Sequence, residues 1–321
     1  MLIRNTYAAI AAICLILGTV QGVHAQPLQV VVTINPIHSL VAAVMEGAGT
    51  PKLLVKGASS EHTYSLRPSD ARAVSGANVV IRVSEHLETF LNKPIASLSR
   101  GAVVITLAEV PGMKLLPPRE GGAFEADAHE GHASGGHNHA KTAGKHEEEE
   151  SDPHIWLDTD NATLIADHVA EVLGKARPEQ AATFTANAAK LKERLAALDT
   201  ELKSQLTGLA GRFFVFHDAY QYFEARYGLT AAGSITVSPE RQPGAARLKA
   251  IRAKIAAAKS ACVFSEPQFE PKLVARLVEG TNARTSTLDG LGANLPEGPD
   301  QFFTVMRNLA GSLKSCLTTN S

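Results

Sequence analysis

From Pro178 to Thr207 the chain runs thirty residues without an internal glycine or proline, and Leu191, Leu195, Leu198, Leu202 and Leu206 recur at three- and four-residue spacing. Proline opens the stretch and Gly208 closes it, the punctuation expected of a helix start and stop. At about 1.5 Å per residue, such a helix would be about 45 Å long, enough to cross from one lobe to another. One apolar stripe on so long a helix makes it a rigid connector in place of a flexible linker. The chain is thereby divided in two, and each side has to bury its own strands.

On both sides of this connector, short β-rich runs alternate with helical patterns. Val30 to Ile34, Lys52 to Val55, Val79 to Val83 and Val103 to Leu107 read as buried parallel strands, with helical stretches near Pro36 to Met45, Pro68 to Ser75 and Glu85 to Ser99. In the second half Phe213 to Phe216, Cys262 to Phe264 and Arg284 to Leu288 repeat the pattern. The expected fold class is therefore α/β: two lobes, each with a mostly parallel sheet flanked by helices, joined by one long helix. The expected boundaries are 26–177 for the first lobe, 178–208 for the connector and 209–321 for the second lobe. In open parallel sheets, ligands collect beyond the carboxyl ends of the strands, so residues there carry most weight.

Met1 to Ala25 combines Arg4, an apolar run from Ala8 to Val20 and the small-x-small ending Val23-His24-Ala25, the pattern of a cleaved secretory signal. The run is short for a membrane span, and no later segment reaches about 18 apolar residues, so export without membrane insertion is expected. Cys14 lies inside the apolar run and would be discarded with it. Thirty-one basic against 32 acidic residues leave a net charge of -1, which gives no broad basic field for nucleic acid. Cys262 and Cys316 remain. In an oxidising compartment they are most simply a disulfide, whose 54-residue loop would stabilise by about 4 kcal/mol, while a two-thiolate metal site would need further ligands and no histidine follows His217.

Three histidines stand out by position. His62 follows the second strand and the turn-like Lys56 to Ser60. His154 lies in Asp152-Pro153-His154-Ile155-Trp156-Leu157-Asp158, where Pro153 disfavours helix behind it and Asp158 or Asp160 can cap the helical run ahead, so its imidazole sits on a short rigid approach. His217 occupies the carboxyl end of its strand. They are 92 and 63 residues apart, and only a fold that gathers strand-end loops could unite them. His38 and His86 also lie near strand ends, but each precedes an apolar helical pattern and fits a lining residue equally well.

Between Glu125 and Asp152 the apolar periodicity stops. Five histidines, His129, His132, His137, His139 and His146, share the segment with eight acidic residues. It reads as a disordered loop inserted in the first lobe, and its imidazoles beside Glu147 to Glu150 could serve as an accessory, low-affinity site for divalent transition metals.

Several segments together resemble the zinc-binding proteins of bacterial high-affinity zinc ABC importers, the ZnuA-like branch of the metal-binding cluster of solute-binding proteins. They are Ile34-Asn35-Pro36 with Ile37 to Leu40, Glu61 to Tyr64 followed by Arg67 to Asp70, the His-rich insertion, Asp152 to Asp158, Phe216 to Tyr220, Ser238 to Glu240 with Gln242 to Gly244, and Thr287 to Asp289. The resemblance implies Zn(2+) as the transported ligand, bound between two lobes by His62, His154 and His217. Glu61 would be the fourth ligand, with water or Asp289 the alternative. It further implies a Cys262–Cys316 disulfide, a periplasmic monomer, and delivery to an ABC importer permease with a cytoplasmic ATPase. Three imidazoles and one oxygen suit tetrahedral zinc, whereas a manganese or iron carrier of the same cluster would favour two carboxylates, and His217 stands where one would be. A zinc-dependent hydrolase also uses three histidines and an open position, but neither a His-Glu-x-x-His motif nor a Gly-x-Ser-x-Gly elbow occurs, so no enzyme is expected. A surface adhesin on the same fold is the remaining alternative.

Overall fold

The computed structural model describes residues 27–98, 101–119, 151–236, 239, 242–258 and 261–318. The first half contains β1 (Val30–Val32), α1 (Asn35–Val44), β2 (Lys52–Leu53), α2 (Pro68–Ser75), β3 (Val79–Arg82), α3 (Asn92–Ala96) and β4 (Val103–Thr106). Its four strands pair in the order β2-β1-β3-β4, all parallel. β1 and β3 are buried along their whole length, as valine- and isoleucine-rich strands covered on both faces must be.

Then come α4 (Thr159–Ala176) and α5 (Ala181–Leu206), followed by β5 (Arg212–His217), α6 (Gln221–Tyr227), β6 (Gly233–Thr236), α7 (Ala245–Ala257), β7 (Ala261–Ser265), α8 (Lys272–Val278), β8 (Arg284–Thr287) and α9 (Gln301–Thr318). The second sheet repeats the first, β6-β5-β7-β8 and parallel throughout. In both sheets the chain runs outward from a central pair, β1/β3 or β5/β7. The crevice beyond that pair is the switch point where such folds take ligands.

The long helical stretch resolves into a 3-10 turn, Pro178–Gln180, and α5 with 26 residues, which span about 39 Å. All five leucines of the stripe are buried, and they belong to one continuous apolar core that also holds Leu40 of α1, Val169 of α4 and Leu309 of α9. Each leucine so buried contributes roughly 2 kcal/mol relative to exposure. α5 therefore packs on helices from both halves and stiffens their relation.

The helical pattern from Glu85 to Ser99 shrinks to the 3-10 turn Thr89–Leu91 and the five residues of α3. Glu88 is the reason. Its buried carboxylate turns back to accept the backbone N–H groups of Val83 and Ser84 and the Thr33 hydroxyl, which draws the chain away from helix before Thr89. Burial pushes this carboxyl up to about 7 against those hydrogen bonds. The strand β6 is also absent from the sequence reading. Its Gly-Ser-Ile-Thr has one large apolar residue, and it is buried because β5 and α7 cover it.

Cys262 of β7 and Cys316 of α9 form a disulfide, with Cα atoms 6.0 Å apart. It ties the last helix to the second sheet at the end of β7 remote from His217.

Candidate metal centre

His62 is held by its loop. Its backbone N–H donates to Ser60 Oγ at 3.3 Å, and two residues on Tyr64 packs on Phe90 and donates to Asp70 Oδ2 at 2.7 Å. His154 is held more tightly. Asp152 is pinned by its own N–H to the Leu116 carbonyl and by the Tyr222 hydroxyl on its carbonyl. Its Oδ1 then accepts both the N–H of His154 and the ring Nδ1 proton at 2.7 Å, while Gln221 donates to Oδ2. Beyond His154 the turn Ile155–Leu157 is fully buried, Trp156 donates to the Gly290 carbonyl, and Asp158 caps α4 by accepting from Asp160.

His217 ends β5, and the sheet register supplies its partner. The offset that pairs Phe214 with Val263, 263 - 214 = 49, also places Glu266 beside His217, 266 - 217 = 49. The Glu266 carboxylate accepts the Nδ1 proton of His217 at 2.7–2.8 Å and its backbone N–H at 3.2 Å.

The three rings converge. Nε2 of His154 lies 3.4 Å from that of His62 and 3.3 Å from that of His217. Among the described residues, these three form a group whose ligand atoms all lie within 4.8 Å of one another. Because Asp152 and Glu266 accept hydrogen bonds from the Nδ1–H groups of His154 and His217, each ring in its neutral form turns its Nε2 lone pair to the centre. Lone pairs at 3.3 Å repel unless a proton or metal ion lies between them.

The electrostatics separate the rings. Burial, helped by the neighbouring imidazoles, lowers His154 below the ordinary histidine value despite Asp152. Burial also opposes charge on His217, but Glu266, Glu61 and Asp218 outweigh it and the net shift is upward. Asp218, buried beside Asp152 and Glu224, is pushed up to about 7 in spite of Arg119.

Glu61 is 4% exposed, lines the same chamber as His154 and His217, and brings Oε1 to 3.8 Å from His62 Nε2. Asp289 faces elsewhere: Oδ1 accepts from the N–H groups of Leu291 and Gly292, and Oδ2 from that of Ala293. His38 is buried on α1 with Nε2 3.1 Å from the Pro51 carbonyl, and His86 is exposed; neither joins the cluster. The loop histidines His129, His132, His137, His139 and His146 lie outside the described residues. Asp152 and Glu266 as orienting carboxylates escape the sequence reading. Their signal is an acidic residue two positions before His154 and another directly after a strand, at Ser265-Glu266-Pro267.

Comparison with known proteins places the chain. The family described as "Zinc-uptake complex component A periplasmic" matches residues 30–316. The high-affinity zinc uptake system protein ZnuA of Brucella suis biovar 1 is 50% identical over 305 residues, covering 90% of this chain and 91% of the relative. A crystal structure of ZnuA superimposes with a TM-score of 0.75 at 22% identity, covering 91% of this chain and 100% of that one. The periplasmic zinc-binding protein TroA of Treponema pallidum gives 0.75 at 22%, covering 91% and 99%.

Proposed function

This chain belongs to the ZnuA family of periplasmic zinc-uptake components, and from that premise we propose that it captures one Zn(2+) ion on Nε2 of His62, His154 and His217. Glu61 supplies the fourth donor. The observation that carries this reading is the pair of carboxylate-held imidazoles, His154 and His217, with their free lone pairs facing each other. Three nitrogens and one oxygen match tetrahedral zinc, and the two orienting carboxylates raise ligand basicity. Asp289 is held by backbone donors and Glu266 by the ring and N–H of His217, so Glu61 is the carboxylate left to bind the metal, where a manganese site would favour two.

Family members are substrate-binding proteins of a transporter, and Glu61 here acts as a metal donor and not as a catalytic base. Among the described residues no helix is long and apolar enough to cross a membrane. The loaded monomer, exported by the signal at Met1 to Ala25, delivers zinc to the membrane permease of an ABC importer driven by a cytoplasmic ATPase. The His-rich loop acts as an accessory, low-affinity collector.

Competition against a chromogenic chelator tests this reading, run from about pH 8 to about pH 5.5 on the full mature chain and on a variant lacking residues 125–150. Both should hold one tight zinc. Protons compete with metal for each lone pair, so affinity falls as pH falls. The decline should begin above the ordinary imidazole value of 6.5, because His217 is shifted upward and protonates before His154. Affinity that is flat across this range, or a tight site that vanishes with the loop, contradicts the assignment.

A further inference from the structure

One turn of the second half carries both the group that orients His217 and the side chain that closes its chamber. Glu266 follows β7 directly and receives the Nδ1 proton of His217. Three residues on, Phe269 donates its N–H to the Glu266 carbonyl at 3.2 Å, which closes the turn. The Phe269 ring stacks on Phe216, with centroids 4.7 Å apart and planes 10° from parallel, and meets His217 edge-on at 5.8 Å.

Two cavities meet at this turn. The inner chamber is small, about 10 Å³ or roughly the room one water needs, and is lined by Glu61, His154, His217 and Glu266 among others. The outer one, about 520 Å³ and open to solvent, is lined by Arg67 and by Ser59, Ser60, Thr63 and Ser65, residues whose hydroxyls can hydrogen-bond the water shell of an arriving cation. Gln268 and Phe269 line both. They are the wall between a polar antechamber and the imidazole cluster, and a phenyl ring in that wall offers the ion no ligand.

We propose that Gln268 and Phe269 form the gate through which zinc enters and leaves, an inference that rests on the three histidines being the zinc site. A gate sets the height of a barrier that entering and leaving ions both cross. It changes the two rates by the same factor and leaves the equilibrium nearly untouched. Because Glu266 belongs to the same turn, a partner that displaces the turn opens the wall and frees the ring of His217 in a single movement. Gate opening is thereby coupled to loss of the carboxylate that orients His217.

The test is stopped-flow zinc exchange on the full mature chain. Metal-free protein is mixed with zinc alone, and zinc-loaded protein with excess chromogenic chelator, for the wild type and Phe269→Ala, with Kd measured separately by competition. Phe269→Ala should raise both association and dissociation rates by about tenfold or more while Kd moves by less than about threefold. Unchanged rates overturn the gate, as does a rise in dissociation alone with a matching rise in Kd, which marks Phe269 as simple packing for His217. If circular dichroism shows that Phe269→Ala does not fold, Gln268→Ala carries the same comparison, with both rates up about threefold as the expected result and no change as the refutation. Wild-type protein that binds no zinc tightly refutes the zinc reading itself, which separates that failure from failure of the gate.

Discussion

Replacing His217 by alanine is expected to weaken zinc binding by about a thousandfold or more, roughly 4 kcal/mol, while the protein stays folded. The substitution removes one of three nitrogen donors and leaves Glu266 as a buried carboxylate with no ring to hold. Glu266 stays close to the remaining donors, so some affinity survives through a weaker oxygen ligand. The measurement is chelator competition, read together with the visible spectrum of the cobalt-substituted protein. Loss of a nitrogen donor changes the tetrahedral cobalt bands, whereas a merely structural defect lowers occupancy and leaves their shape. His38→Ala is the contrast. His38 is buried with its Nε2 near the Pro51 carbonyl and lies outside the cluster, so zinc affinity should hold within about threefold even if stability falls.

Loss of the disulfide is the second large effect, and it falls on stability instead of binding. Closing 54 residues between Cys262 and Cys316 restricts the unfolded chain by about 4 kcal/mol, so the double Cys→Ser variant should melt roughly 6 °C lower in calorimetry. Zinc affinity should stay within about threefold of wild type. Cys262 pairs with Phe213 near the start of the two strands, whereas His217 ends β5 and Glu266 directly follows β7, about 13 Å further along. The core of α9, with Phe302, Met306, Leu309 and Leu313 buried, keeps the helix docked after the bond is lost. Reduction that abolished zinc binding at a temperature where the variant is folded would contradict this separation of staple from site.

Much of the architecture is legible in the sequence because its strongest signals are local. The leucine stripe of α5 and the valine-rich strands β1 and β3 are periodic patterns that burial on one face or on two imposes. Where tertiary structure overrides local pattern, the reading fails. Glu88 draws its carboxylate back onto β3 and shortens a helix, and β6 is a strand because of its neighbours, not its own residues. The same division runs through the site. His62, His154 and His217 stand out by their places after strands or before a helix cap. Glu266 reaches His217 only through a sheet register 49 residues long, and nothing in its local sequence states that register. Gln268 and Phe269 are further from view, since a wall between two cavities exists only once both cavities do.

The central claim is that one zinc ion is held by three imidazoles in the chamber between the halves. A crystal structure of the zinc-loaded full mature chain, with anomalous differences collected on both sides of the zinc absorption edge, tests it most directly. One strong peak is expected about 2.0–2.1 Å from Nε2 of each of His62, His154 and His217, with a Glu61 oxygen completing a tetrahedron. A strongest peak on the histidines of residues 125–150, or one in the chamber that lacks any of the three rings, would contradict it.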